Sequence, residues 1–163
     1  MAVTSYKFPG MAVNSDLGKN DWSNPDYVKA DDDNWATCQP AKNDYGDNLI
    51  CTNFGFTTDD IPDGSSIDGI EIEIMRKASI ADRIKDDFLR LIYNSVEQGG
   101  NKASATFWPT SEGTATYGGA ADNWGASALT DANIRNSSFG MLLRIYCDGV
   151  SCLLYTSPSP RDS

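Results

Sequence analysis

Histidine is absent from the 163 residues. This absence excludes Ser-His-Asp and Cys-His nucleophiles and every metal site that needs an imidazole ligand. The four cysteines, Cys38, Cys51, Cys147 and Cys152, show no C-x-x-C spacing, so the common zinc and dithiol motifs are also missing. We therefore expect free, mostly buried thiols in a reducing compartment.

Long apolar runs and positive charge are both scarce. No window approaches the roughly 18 consecutive apolar residues of a membrane helix, and residues 1–10 lack the charged-then-apolar order of a secretory signal. Lys and Arg number 13 against 23 Asp and Glu, which gives a net charge of -10. Since phosphate backbones are bound by clustered Lys and Arg, we expect neither nucleic acid nor membrane as a partner. The sequence predicts a protein made in the cytosol without a signal peptide.

Alternation with a period of two is the clearest local pattern. Ile70, Ile72 and Ile74 alternate with glutamates, which predicts a strand with one apolar and one wet face. Pro, Asp and Gly shortly before this strand favour a tight turn. We therefore expect it to pair antiparallel with a strand that ends near Phe56.

Two further runs also alternate. In 87–93, Leu89, Leu91 and Tyr93 share one face, and Phe88, Arg90 and Ile92 share the other. In 139–147 one face is apolar throughout, which predicts a central buried strand; it comprises Phe139, Met141, Leu143, Ile145 and Cys147. Shorter strands are predicted at 7–13, 35–38, 48–52 and 103–108, and helical spacing occurs only at 79–85 and 130–136.

These patterns predict an all-β fold with at most one or two short helical turns. A single sheet would leave its apolar face wet, so we expect an antiparallel two-sheet β-sandwich of the jelly-roll or Greek-key type. The length suits a single domain, which we place at residues 1–150.

The last residues differ in character from the rest of the chain. The segment 152–162 reads C-L-L-Y-T-S-P-S-P-R-D, and it resembles a translated library adapter of the kind found at the ends of metagenomic contigs. We therefore predict an unstructured tail at 151–163 and a natural protein that continues beyond Gly149 with a closing strand. Because no core residue is assigned after Cys147, removal of this tail is expected to change folding little.

Short phrases rich in aromatic residues, Gly and Asn recur between residues 22 and 143. They include Trp22-Ser23-Asn24-Pro25, Thr52-Asn53-Phe54-Gly55-Phe56, Ile67-Asp68-Gly69-Ile70-Glu71, Trp108-Pro109, Tyr117-Gly118-Gly119, Trp124-Gly125 and Asn136-Ser137-Ser138-Phe139-Gly140. In order and spacing they resemble phage and prophage virion proteins, either tail-fibre-like or head-decoration modules with a β-sandwich fold. The resemblance implies a structural or adhesion role in a virion made in the bacterial host cytoplasm. It also implies assembly with itself or with other virion proteins, and it supplies no catalytic residues and no cofactor.

A carbohydrate-binding β-sandwich module is the alternative function, with host or gut glycans as ligands. Its binding residues would be the loop aromatics Trp22, Trp108, Tyr117 and Trp124, since large rings beside glycines can form sugar platforms. The same rings can instead anchor the loops in the core.

Acidic residues suggest one metal site and no catalytic site. Asp31, Asp32 and Asp33 supply oxygen ligands for Ca²⁺, although the Gly and Glu of the helix-loop-helix calcium motif are missing; a solvated acidic turn is the alternative. Glu71 and Glu73 are predicted on the wet face of a strand, so they do not suggest a glycosidase pair. The charged residues from Lys77 to Asp86 are interpreted as surface ion pairs. We therefore expect no enzymatic activity.

Overall fold

The computed structural model describes residues 3–149 and 154–157. The strands are β1 (Met11–Asn14), β2 (Ala36–Cys38), β3 (Leu49–Thr52), β4 (Glu71–Ala78), β5 (Ile84–Tyr93), β6 (Val96–Gln98), β7 (Gly113–Gly118), β8 (Phe139–Cys147) and β9 (Leu154–Ser157). A 3₁₀ helix spans Pro25–Lys29, and the helix α1 spans Asp131–Arg135. Thr130 caps α1 by accepting a hydrogen bond from the Asn133 N–H. Neither helix of the described part has the length and apolar character needed to span a bilayer.

The strands form two antiparallel sheets. The five-stranded sheet has the order β1-β3-β8-β5-β6, and the four-stranded sheet has the order β2-β9-β4-β7. The expectation of an all-β, antiparallel architecture is therefore confirmed. Buried side chains of both sheets, such as Leu89 and Leu143 from one and Ile74 and Ala78 from the other, belong to a single hydrophobic cluster.

The long pair β5–β8 is the centre of the five-stranded sheet. Leu89 lies opposite Leu143 and Leu91 opposite Met141, and all four side chains are buried. The predicted apolar faces of both strands are confirmed, because period-two alternation makes every second residue face the core. A β-bulge between Asp86 and Phe88 shifts the register at one point of this pair.

Several predicted elements differ from the observed ones. Residues 103–108 contribute only an isolated bridge, Lys85 with Phe107, and 79–85 is a turn that leads into β5 instead of a helical turn. The predicted pairing of a strand ending near Phe56 with the Ile-rich strand is wrong. The strands on either side of that turn, β3 and β4, lie in different sheets, so the 53–70 loop crosses from one sheet to the other.

The C-terminal tail is not wholly unstructured. Within 151–163, Leu154–Ser157 forms β9, which pairs antiparallel with β2 on one side and β4 on the other. The prediction of an unstructured tail is therefore wrong for these four residues, since backbone hydrogen bonding to two strands holds them in a sheet. The rest of the predicted tail lies outside the described residues.

The cysteines divide into two groups. Cys38 and Cys51 are free and buried, as predicted, whereas Cys147 is disulfide-bonded, which corrects the expectation of a free thiol there. Burial raises the pKa of the Cys38 and Cys51 thiols to about 12. Neither thiol is therefore activated as a nucleophile or metal ligand.

Candidate functional site

The outer face of the five-stranded sheet, the side turned away from the core cluster, carries an unusual set of side chains for a surface. Across β1, β3, β8 and β5 the register aligns Val13, Ile50, Leu142 and Arg90. Because paired residues of neighbouring strands point to the same side of a sheet, these four side chains form one row. Met11, two residues before Val13 in β1, points to the same side of the sheet.

Exposure along this row is greatest at β1. Met11 is 53% exposed and Val13 is 42% exposed, whereas Ile50 is half-buried and Leu142 is buried. Strand β1 is the edge strand of its sheet, with β3 as its partner. The apolar surface that faces solvent therefore lies at the β1 side of the sheet. Removing such side chains from water contributes about 1.5–3 kcal/mol each when burial is complete.

Aromatic and basic side chains alternate over the β5 and β8 side of the same face. The Arg144 guanidinium lies 5.0 Å from the Tyr45 ring centroid and 5.4 Å from that of Phe88, and the Arg90 guanidinium lies 4.6 Å from Phe88. Tyr45 bridges to Tyr146, and their ring centroids are 5.1 Å apart. These cation–π and ring contacts hold half-buried aromatics in fixed positions on the surface.

The basic side chains of this face are each paired locally with a carboxylate. Arg144 contacts Asp87 at 2.6 Å and Arg90 contacts Glu97 at 3.2 Å. Lys85 lies 4.0 Å from Asp148. These pairs balance charge on a chain whose net charge is -10, so this face lacks the acidic excess carried by the molecule as a whole.

Beneath the sheet a buried ion pair joins the two sheets. Asp86 of β5 and Arg76 of β4 are both buried, and the Arg76 Nη1 lies 3.3 Å from the Asp86 Oδ1. Trp108 Nε1 donates to the same oxygen at 2.7 Å, while the Tyr117 hydroxyl and the Ser104 N–H donate to Oδ2 at 2.6 and 3.0 Å. The carboxylate thus has four donors, which is the condition for a buried charge to be tolerated.

Tyr117 completes this network from the four-stranded sheet. Its oxygen accepts a hydrogen bond of 2.7 Å from the Arg76 Nη1. Burial and the neighbouring Asp86 carboxylate both raise the pKa of the Tyr117 hydroxyl well above its ordinary value. The phenol therefore stays neutral and donates to Asp86, so the arrangement is a structural link between the sheets.

The four aromatics predicted as ligand-binding residues all lie in the core. Trp22, Trp108 and Trp124 are at most 2% exposed and Tyr117 is 6% exposed. Trp22 Nε1 donates to the Asp47 carbonyl and Trp124 Nε1 to the Ile70 carbonyl, at 2.9 and 2.8 Å. This burial corrects the interpretation of these rings as sugar platforms: the three tryptophans lie in the core, where burial of a large ring stabilises the loop that carries it, and Tyr117 is buried on β7.

The predicted calcium ligands are not gathered around a common point. Asp31, Asp32 and Asp33 are exposed, and Asp32 Oδ1 accepts a hydrogen bond from the Asn34 N–H at 3.3 Å. In the part of the chain that the structure describes, no three acidic, Cys or His side chains are placed to share a metal ion. The segment is an acidic turn, which was the alternative interpretation.

Sequence reasoning missed the buried charges. Asp86 was interpreted as a surface residue, but the bulge at Asp87 shifts the alternation so that Asp86 and Ile84 face inward. Arg76 lies two residues after Ile74. The period-two pattern of Ile70, Ile72 and Ile74 therefore indicated from the sequence that the Arg76 side chain faces inward. The predicted outward position of the glutamates agrees with the structure, because the alternate residues Ile70, Ile72 and Ile74 pack on the core. The Tyr6 hydroxyl lies within hydrogen-bonding reach of both Glu71 and Glu73.

No family model matches the sequence, and neither the curated proteins nor the solved structures contain a match to it.

Proposed function

We propose that this chain is a non-enzymatic structural module of a phage particle that self-associates through the outer face of its five-stranded sheet. The observation that carries the proposal is the composition of that face. Met, Tyr, Phe and Arg are the residue types enriched in protein interfaces, and here Met11, Tyr45, Phe88, Arg90 and Arg144 come together on one side of one sheet.

The partner that fits this face best is a second copy of the chain. Two molecules with a net charge of -10 repel each other over most of their surfaces. On the outer face that repulsion is reduced, because its carboxylates Asp87 and Glu97 are paired with arginines. A twofold contact, in which the same patch is used by both copies, is the commonest way in which identical chains associate.

The particle setting follows from the resemblance to phage and prophage virion proteins. In this proposal the two sheets are the layers of a β-sandwich of the jelly-roll or Greek-key type, made in the host cytoplasm and incorporated into a tail fibre or a capsid decoration. Self-association would supply the contacts between copies in the particle. Docking to a different virion protein is the competing outcome, and it predicts a chain that is monomeric on its own.

A charge placed on the exposed edge of this face tests the proposal. Val13→Glu is expected to reduce the fraction of dimer in sedimentation velocity at least tenfold, because the new carboxylates of both copies would be desolvated in the contact. Ile80→Glu is the matched control, since Ile80 is 44% exposed but lies in the turn between β4 and β5. Equal association of the two variants would contradict the assignment of the interface.

A further inference from the structure

A cleft of about 640 Å³ lies away from the outer face of the five-stranded sheet. It is formed by the N-terminal segment, the 53–70 loop, the turn after β7, and residues of α1 and β8. Its volume falls within the roughly 300–1,000 Å³ of small-molecule sites. Nothing in the sequence had singled it out, because its walls come from segments far apart along the chain.

The floor of the cleft is apolar. Phe56, Ile67 and Ile70 line it and are only partly buried, although they pack against the core cluster. Ile134 and Phe139 lie deeper and are buried. Such a floor can cover the C–H face of a flat ring-shaped ligand, which is the usual way that apolar side chains contact sugars and other rings.

The polar residues that line the cleft carry oxygen atoms. They are the hydroxyl-bearing Thr4, Ser65 and Ser66 and the acidic Asp60, Asp68 and Glu71. Among the described residues that line the cleft there is no Lys or Arg. An anionic ligand would therefore meet carboxylates of like charge along the lining, which disfavours its binding.

Two of the three carboxylates are already engaged by the N-terminal segment. The Lys7 ammonium lies 3.2 Å from Asp60, and Asp60 also accepts from the Thr57 N–H at 2.8 Å. The Thr57 N–H and Lys7 hold the pKa of Asp60 below its ordinary value. Glu71 accepts from the Tyr6 hydroxyl. These contacts fix one wall of the cleft in place and leave Asp68, which is exposed, as the least engaged acceptor.

We propose that this cleft binds a neutral saccharide. The ring face would lie on Phe56, Ile67 and Ile70, and the sugar hydroxyls would donate to Asp68 and exchange hydrogen bonds with Ser65 and Ser66. A cationic sugar is the competing ligand, because Lys7 balances Asp60 but not Asp68 or Glu71, and the probes below separate it from a neutral one. The proposal goes beyond self-association and uses different residues, so either can fail without the other.

Saturation-transfer NMR on the full chain tests the site with three sets of probes. Maltotriose, cellotriose and diacetylchitobiose are the neutral probes, glucosamine is the cationic probe, and glucuronic acid is the anionic probe. We expect transfer to at least one neutral probe and none to glucuronic acid. Transfer to glucosamine alone, or to no neutral probe at millimolar concentration, would overturn the assignment.

A pair of neighbouring alanines locates the binding. Ala120 lines the cleft and is exposed, whereas Ala121 is exposed and lies outside the lining. Ala120→Trp is expected to block the cleft and reduce affinity for the bound sugar at least tenfold, while Ala121→Trp leaves it unchanged. The thermal unfolding midpoint of both variants checks that the fold is intact. Unchanged affinity in a folded Ala120→Trp variant would place the saccharide elsewhere and contradict the proposal.

Discussion

At the scale of single residues, the least expected feature is a buried carboxylate in the core. Asp86 is 5% exposed and Arg76 is 7% exposed. A buried pair of this kind contributes little compared with an apolar pair of equal size, but removal of one partner leaves a buried charge unpaired. Its stabilising effect therefore depends on keeping both partners.

Asp86→Ala is expected to lower the free energy of unfolding by about 3–5 kcal/mol, because Arg76 would then be buried without its counter-charge. Urea denaturation of the variant and the parent measures the difference. The control is Asp26→Ala, which removes an exposed partner of Lys29 and is expected to change stability by less than about 0.5 kcal/mol. Similar losses in the two variants would show that Asp86 does not form the buried link described above.

The alternation along β5 and β8 was readable from the sequence because every second residue must face the core. This alternation was sufficient to predict the buried positions of Leu89, Leu91, Met141 and Leu143. The burial of Asp86 could not be predicted in the same way. A bulge adds one residue to a strand and requires no particular residue type, so the sequence does not show where the alternation shifts. The same limit applies to the outer-face site: Phe88 and Arg90 were predicted to share one side of a strand, but the residues that join them from other strands depend on sheet order.

At the scale of elements, the close approach of β8 to β3 depends on a missing side chain. Gly140 lies opposite Thr52, and a Cβ at Gly140 would be 1.8 Å from the Cys51 carbonyl oxygen. Two heavy atoms that are not bonded to each other cannot approach so closely, so the strands would have to move apart. The β3–β8 pairing therefore requires glycine at this position.

Gly140→Ala is expected to lower the free energy of unfolding by about 1–3 kcal/mol or more through overpacking against backbone that cannot rotate away. Gly119→Ala is the matched control, because a Cβ at Gly119 would meet nothing within 4 Å. Thermal unfolding followed by circular dichroism compares both variants with the parent. An unchanged midpoint for Gly140→Ala would contradict the β3–β8 register.

The position of β9 reverses the earlier expectation about the tail. Because β9 lies between β2 and β4, a chain that stops at Gly149 leaves β2 without its pairing partner and exposes an edge of β4. We expect the 1–149 chain to unfold at a lower temperature than the full chain by several degrees, on the order of 2–4 °C per kcal/mol lost. Identical unfolding midpoints for the two chains would show that β9 adds nothing to the sheet.

The order of the strands, and the sheet to which each strand belongs, could not be predicted from the sequence. Residues 61–65 have the composition of a tight turn, yet the loop that contains them carries the chain from β3 to β4 in the other sheet. Turn residues specify a local reversal of the backbone and not the partner strand that follows. Long-range pairing is decided by which apolar faces can be buried together.

At the scale of the whole molecule, ionised carboxylates stabilise the fold at neutral pH. The pKa of Asp47 is lowered overall: burial raises it, but hydrogen bonds from the Ser15 hydroxyl and the Asn48 and Leu17 N–H groups outweigh that effect. The pKa of Asp122 is lowered by Lys102, and that of Asp131 by the Gly64 N–H and Arg135. In each case the folded state favours the charged form.

Because these pKa values are lower in the folded than in the unfolded state, their contribution to stability is fully present above about pH 4 and is lost as the pH falls further. We expect the free energy of unfolding to be nearly constant between about pH 7 and 5 and to decrease steeply below about pH 4. Urea denaturation over a pH series measures this. A chain that is equally stable at about pH 3 and 7 would contradict the assigned hydrogen bonds.

Self-association through the outer face of the five-stranded sheet is the central claim, and the molar mass in solution tests it most directly. Light scattering coupled to size exclusion should give twice the 17.7 kDa mass of one chain at micromolar concentrations and physiological salt. A mass equal to that of a single chain, maintained as the concentration is raised to the millimolar range, would contradict the account.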